Sequence, residues 1–533
     1  MERRMRMGVF ASAMAVLLLI TGCTGNASSD SPNGSDAGGD DVFKYAYALD
    51  VISTGWDPAV AYSNEVVVLQ NVYETLTRYN SKTEEVEPLL AEKWETNEDR
   101  TEWTFTLRSD ATFHTGNPVT SESVKASIEY TIEQQGGAAY IWDVVQEIQI
   151  LDEHNVVFKL SRPAPLDYIS SSAFSAFIFD TEAAEGADLH EWFEQGNDAG
   201  SGPYAVAEYN KGQETEVVLS RFEDYWGGWK DGQFSRVEYR VTPEMNTAWQ
   251  LLQQGQVDYV QWLNAQLFME AEKTEGISAV KTETFQNVLP LLNTASGPLS
   301  DLKVRQAVTM SLDVDAIASS LQGAGSPASG FIPEGLVGFT PDLGLEPDIE
   351  EAKRLLAEAG HEDGVTLRMT YAEGDALHQT IATLMASQLA EAGITLDLQP
   401  MTWNAQVDQA RSSDVAGRQD IFMFNWYPDF PDPYSWFNSL FHSSEEPFYN
   451  FAYLDDPKLD AQIEELEIEL GAGTEKAGQD IIELQDSIIY EYGAVAPIVV
   501  KTQLRAIRSD ISGFVDNPLY ADVPFVYDLV RKD

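Results

Sequence analysis

The sequence predicts an α/β protein of several domains, and three observations carry that reading. Its 533 residues exceed what one small core organises, and length alone allows about three domains. Val365–Tyr371, Leu377–Ala392 and Ile394–Gln399 read as strand, helix and strand, with Ile381, Leu384, Met385 and Leu389 on one helical face, which makes a βαβ unit. Ile421, Phe422, Met423 and Phe424 form an unbroken apolar run, the pattern of a short strand buried on both faces. Pro428, Pro431 and Pro433 cannot continue a sheet ladder, so the chain leaves that strand as a stiff loop. The loop carries Trp426, Tyr427, Phe430, Tyr434 and Trp436 and two acids, Asp429 and Asp432. Aromatic walls with placed carboxylates just past a buried strand are what an open α/β sheet offers a ligand. Asp-Pro is equally an ordinary turn starter, and aromatics are usually core.

Taken in order, the chain opens with Arg3, Arg4 and Arg6 before the apolar Gly8–Ile20, a stretch too short to span a bilayer comfortably. Ile20-Thr21-Gly22-Cys23 follows and resembles the bacterial lipobox, which implies cleavage before Cys23 and a diacylglycerol on its thiol. Cys23 is the one cysteine in the sequence, so neither a disulfide framework nor a CxxC metal site is expected. Thr24–Asp41 is rich in Gly, Ser, Asn and Asp and lacks the hydrophobes that would offset its ordering entropy. It reads as a flexible tether that holds the body roughly 20–25 Å from its anchor. The expectation is a soluble body on the outer face of a cell membrane. A formal charge of −53 excludes nucleic acid as a partner, because a polyphosphate needs Lys and Arg that this surface lacks.

Phe43–Leu49 is a first strand, and Trp56-Asp57-Pro58 turns the chain into a helix near Glu65–Thr75. Trp103, Phe105 and Leu107 share one face of a strand. Gly116-Asn117-Pro118 is a turn, and Thr120 or Ser121 caps a helix through Val124 and Ile128. Ile349–Gly360 is an amphipathic helix with Gly360 at its C′ position. Ile463, Leu466 and Leu470, then Ile481, Leu484 and Ile488, mark two further helices before Ala496-Pro497-Ile498 and a last strand.

Several of these segments resemble one family. EPLLAEKWE…WTFTLRSDATFHTGNPVTSESVKAS within Glu87–Tyr130, Gly200-Ser201-Gly202-Pro203-Tyr204, RFEDYWGG from Arg221, Gly255–Asp258 and DLKVRQAVTMSLD from Asp301 are similar, in order, to the solute-binding proteins of peptide and nickel ABC importers, solute-binding protein family 5. Ser201 stands where that family usually has Thr, and Leu292–Pro298 matches its Asn-rich segment only loosely. The resemblance implies a two-lobed, three-domain, type II periplasmic-binding-protein-like fold with a hinge between the lobes. One lobe would comprise 42–76, 200–290 and 491–533. Residues 77–199 would be an extra domain packed on it, and 291–490 the opposite lobe, behind a signal peptide at 1–22 and a tether at 23–41.

The same resemblance implies that Asp429, in the spacing Trp426-Tyr427-Pro428-Asp429, accepts a peptide's α-ammonium. A carboxylate among aromatics without a sequence-local cation favours an arriving ammonium over a neutral group. His378 falls near a position used by some oligopeptide binders, and Arg411 and Arg418 are candidate cations for the peptide's other end. Ala61–Asn64, with Tyr62 and Asn64, is a candidate edge for main-chain pairing. Trp403, Trp426, Tyr427 and Trp436 are candidate pocket walls or sugar-stacking surfaces. The reading is a monomeric receptor, not an enzyme, without cofactor or metal, that delivers di- or oligopeptides to an ABC permease. Alternatives are another solute (an oligosaccharide, an opine-like compound or a nickel chelate), a sensing role, or an extracellular hydrolase. No HExxH, GxSxG or Walker-type GK[ST] motif supports the last of these; His190-Glu191 leads to Glu194, so HEWFE is not a zinc motif.

Overall fold

A computed structural model describes residues 41–532 apart from 49, 50, 54, 63 and 445–448. The expected signal peptide, tether and Cys23 lie outside the described residues. The main sheet is built from β1 (Val42–Tyr47), β2 (Tyr204–Tyr209), β3 (Thr215–Arg221), β4 (Arg236–Val241), β5 (Tyr259–Val260), β6 (Ile277–Leu292), β7 (Val365–Ala372), β8 (Ile394–Met401), β9 (Ile421–Trp426) and β10 (Val499–Arg508). Their order across the sheet is β8-β7-β9-β6-β10-β5-β1-β4-β3-β2, with a short strand, Gly325–Pro327, beside β10.

Two long strands tie the halves of this sheet together. β6 pairs antiparallel with β10 from Ile277↔Arg508 to Glu283↔Thr502, loses register, and resumes at Asn287↔Val500. Past that break its other edge is taken by β9, from Asn287↔Trp426 to Leu292↔Ile421. Asn287 therefore sits in one row with Val500 and Trp426, where one half of the sheet hands over to the other.

The local chemistry explains the elements. Ile421–Phe424 are almost wholly buried because β9 lies between antiparallel β6 and parallel β7, with its two faces covered. β7 and β8 pair in parallel throughout, joined by a helix, Ala376–Ala392, the expected βαβ unit. Asp375 caps that helix by accepting from the Leu377 and His378 amides, and Gly393 ends it at φ 93°, a conformation that suits glycine. Ser121–Gln134 is capped by Thr120 in a reciprocal box with Ser123. That helix accompanies a separate antiparallel sheet of Ala91–Thr96, Glu102–Leu107, Asn155–Leu160 and Val145–Asp152, on which Trp103, Phe105 and Leu107 are buried.

Gly200 and Gly202 have a packing reason. A Cβ on Gly200 would lie 2.1 Å from the Val72 carbonyl oxygen at the end of the helix Val66–Val72, and one on Gly202 2.7 Å from the same peptide group. Between them Ser201 donates to buried Glu74, which also accepts from Tyr225 and Trp226. Burial pushes Glu74 up to about 7, against the pull of those donors.

Candidate ligand-binding site

The loop after β9 turns where Asp432 accepts from the Tyr434 amide at 2.7 Å, opening the helix Tyr434–Phe441. Burial pushes Asp432 up to about 6. Asp429, three residues ahead of that turn, is 3% exposed. Tyr62 donates to its Oδ1 at 2.8 Å and Tyr140 donates to its Oδ2. Its backbone carbonyl accepts from Ser172 at 2.8 Å and from Tyr520 at 3.2 Å. Four hydroxyls from four stretches of chain thus meet on one residue.

Burial raises the Asp429 carboxyl above the usual carboxylate range, and the two tyrosine hydroxyls pull it back; no Lys or Arg contributes among the described residues. A carboxylate has about four acceptor positions, so two donors leave it able to take more. A buried anion without a cation is costly, and an arriving ammonium relieves that cost.

Beside this cluster lies a cavity of about 180 Å³ between the crossing strands and the loop, lined among others by Asn64, Phe174, Gln261, Gln286, Tyr427 and Gln503. Its lining is mostly neutral amide and ring, suited to peptide-like donors and acceptors. Asp522, also on the wall, accepts from the Trp262 indole at 3.0 Å and from Gln503 at 2.6 Å.

The description of bacterial extracellular solute-binding proteins, family 5, matches residues 85–448, more than half of the sequence. This chain belongs to that family. Among relatives of this family 5 protein, the probable D,D-dipeptide-binding periplasmic protein DdpA of Escherichia coli K12 is 28% identical over 483 residues, covering 88% of this chain and 90% of DdpA. The Helicobacter pylori binding protein DppA, solved with the peptide STSA, superposes with a TM-score of 0.78 at 20% identity, over 92% of this chain and 98% of that one. NikA of Brucella suis, solved with Fe(III)-EDTA, gives 0.77 at 20% identity over 92% and 100%. The fold is the two-lobed fold of periplasmic binding proteins, and the family is one of extracellular binding proteins rather than enzymes.

In this family 5 protein the expected site residues separate into three groups. Asp429, Tyr62, Asn64 and Tyr427 come together, with Asn64 and Tyr427 on the cavity wall. Trp426 is half-buried, and Trp403, 43% exposed, stacks over Phe424 and Tyr449. Arg411 lies over the Tyr449 and Phe451 rings, and Arg418 is held by the Ser412 carbonyl and the Tyr453 ring. His378 is buried rather than solvent-facing; its Nε2 meets Asn425 at 3.1 Å, and desolvation lowers its pKa. Trp436 is a correction. Its ring is fully buried and its indole donates to buried Asn287, so it props the crossing strands and is no cleft wall.

Tyr140, Ser172 and Tyr520 escaped sequence reasoning. They lie 289, 257 and 91 positions from Asp429, with no motif linking them.

Proposed function

We propose that this protein is an extracytoplasmic receptor, tethered through a lipid on Cys23, that closes its lobes over di- or oligopeptides and hands them as a monomer to an ABC permease. Asp429 receives the ligand's α-ammonium between lobes formed by 42–76, 200–290 and 491–533 on one side and 291–490 on the other, with 77–199 beside the first. One observation carries this reading: a buried carboxylate that accepts from the Tyr62 and Tyr140 hydroxyls and has no Lys or Arg contributing among the described residues. The D,D-dipeptide relative and the STSA-bound neighbour support a peptide. A neutral glycan or an anionic chelate would gain nothing from that carboxylate.

The test is calorimetry on the refolded, ligand-stripped body with randomised di-, tri- and tetrapeptide pools, an oligosaccharide panel, an opine panel and nickel chelates. Heat with peptides that is lost in Asp429→Asn supports the reading. Binding confined to glycans, opines or chelates overturns it.

A further inference from the structure

Among the described residues, Asp522 is the one charged side chain that lines the cavity beside the Asp429 cluster. Neutral amides and rings, those of Gln261, Gln286, Gln503, Trp262 and Tyr427 among them, make up much of the remaining wall. Asp429 does not line it. Phe174 on the wall packs edge-on against Tyr62, and Tyr62 in turn donates to Asp429. The acid that faces the cavity is therefore a different one from the acid on which the hydroxyls meet.

Asp522 is held from three strands. Tyr45 on β1 donates to its backbone carbonyl at 2.8 Å. The Trp262 indole, just past β5, donates to Oδ1 at 3.0 Å, and the Gln503 amide on β10 donates to the same oxygen at 2.6 Å. Gln503 is itself fixed, because its amide also donates to the Gln261 carbonyl at 3.2 Å. Both side-chain donors thus fall on one oxygen. Oδ2 accepts no hydrogen bond among the described residues, although a carboxylate has about four acceptor positions. Burial raises the Asp522 carboxyl against the pull of Trp262, Arg505, Lys501 and Gln503. Neither of those cations forms an ion pair with it among the described residues: Arg505 pairs with Asp516 at 2.6 Å, and Lys501 acts through its charge alone.

We infer that Asp522 receives the ammonium or guanidinium of a basic side chain on the bound peptide, so that this cavity selects Lys- or Arg-type residues and rejects acidic ones. The inference deepens the peptide reading above and rests on it. A half-buried carboxylate with an unused oxygen gains a charge-assisted hydrogen bond from a cationic donor, roughly twice as strong as one between neutral groups. The Trp262 and Tyr427 rings offer apolar surface for the stem of such a side chain while its charged head reaches the acid. An incoming carboxylate meets a fixed negative charge with no cation on the lining, a repulsive element that sharpens selection. The cavity of about 180 Å³ falls below the ~300–1,000 Å³ of sites that hold whole drug-sized ligands, which suits a single side chain.

The experiment uses alanine tripeptides that carry Lys, Nε-acetyl-Lys, norleucine or Glu at each position in turn, measured by calorimetry on wild type and Asp522→Asn. Asparagine keeps an oxygen for Trp262 and Gln503 and removes the charge. At the best position, wild type is expected to bind the Lys peptide about 30-fold or more tighter than the norleucine peptide, as for a buried charge pair that loses one partner. The acetylated peptide should fall to the norleucine level, since acetylation removes the charge, and the Glu peptide should bind weakest. Asp522→Asn should bring Lys down to norleucine and leave norleucine unchanged, which separates loss of the charge from loss of the fold. Equal binding of Lys and norleucine by wild type at every position, or a Lys preference that survives in Asp522→Asn, overturns the inference and leaves the peptide reading standing. Acetyl-Lys that binds wild type as tightly as Lys overturns it without recourse to the variant. Absence of binding to every peptide overturns both.

Discussion

Asp429 gathers the hydroxyls of Tyr62, Tyr140, Ser172 and Tyr520, and the proposed ammonium contact would fall on the same residue. Truncating one partner of a buried, hydrogen-bonded charge pair costs about 2–5 kcal/mol, so Asp429→Asn should weaken peptide binding by roughly 30- to 5,000-fold in calorimetry. Because burial raises the Asp429 carboxyl, protonation on acidification should abolish the ammonium contact: wild-type affinity should fall as pH drops through that raised value, and the Asp429→Asn profile should be flat. Glu74 makes the opposite kind of statement, about folding. Its folded pKa of about 7 lies above its ordinary 4.5, so between those values the folded state binds more protons and stability declines as pH rises. The decline amounts to roughly 3 kcal/mol at most. Thermal melts at pH 5 and 7.5 should show it in wild type and not in Glu74→Gln, which keeps the shape without the charge.

At the scale of elements, close approach matters more than propensity. Gly200 sits where a Cβ would stand 2.1 Å from the Val72 carbonyl oxygen, so the chain end of one helix and the Gly200–Tyr204 segment must separate to admit it. Gly200→Ala should cost about 2 kcal/mol or more, within the range for overpacking. Gly393→Ala meets no close side chain but must hold φ 93°, and should cost about 1 kcal/mol. Denaturant melts of the two variants would separate crowding from backbone strain. The break in pairing between Glu283 and Asn287 leaves β6 and β10 without a continuous ladder there, which is where bending is least opposed.

For the whole molecule, two electrostatic effects act on different lengths. The net charge of −53 produces self-repulsion that salt screens over about 10 Å at 0.1 M. The melting temperature should therefore rise from low ionic strength to 0.5 M salt, and a fall would contradict the charge argument. Contact between distant stretches of chain is local by comparison. Arg162 pairs with Glu467 at 2.5 Å, and Gly471 lies so close to Pro163 that a Cβ would be 2.1 Å from its carbonyl oxygen. With the Asp429 hydroxyl cluster, these contacts tie the 140–172 region to the 429–471 region. Arg162→Ala should shift the unliganded protein toward a larger radius of gyration in small-angle scattering, with peptide restoring the compact value.

Periodicity and punctuation alone placed the βαβ unit, the doubly buried strand, a helix cap at Thr120 or Ser121 and the Gly360 helix end, because each depends on neighbours within a few positions. Ordered family segments extended that reading to the two-lobed fold. The acid singled out by the family spacing Trp426-Tyr427-Pro428-Asp429 is also the residue on which the hydroxyls meet, whereas the loop alone does not set Asp429 apart from Asp432. Tertiary structure decided its company. Tyr140, Ser172 and Tyr520 approach it only once distant stretches pack together, and Trp436, indistinguishable in sequence from its aromatic neighbours, turned into the core on Asn287. Local chemistry set the elements and family spacing the candidate acid; the juxtaposition of residues hundreds of positions apart set its surroundings.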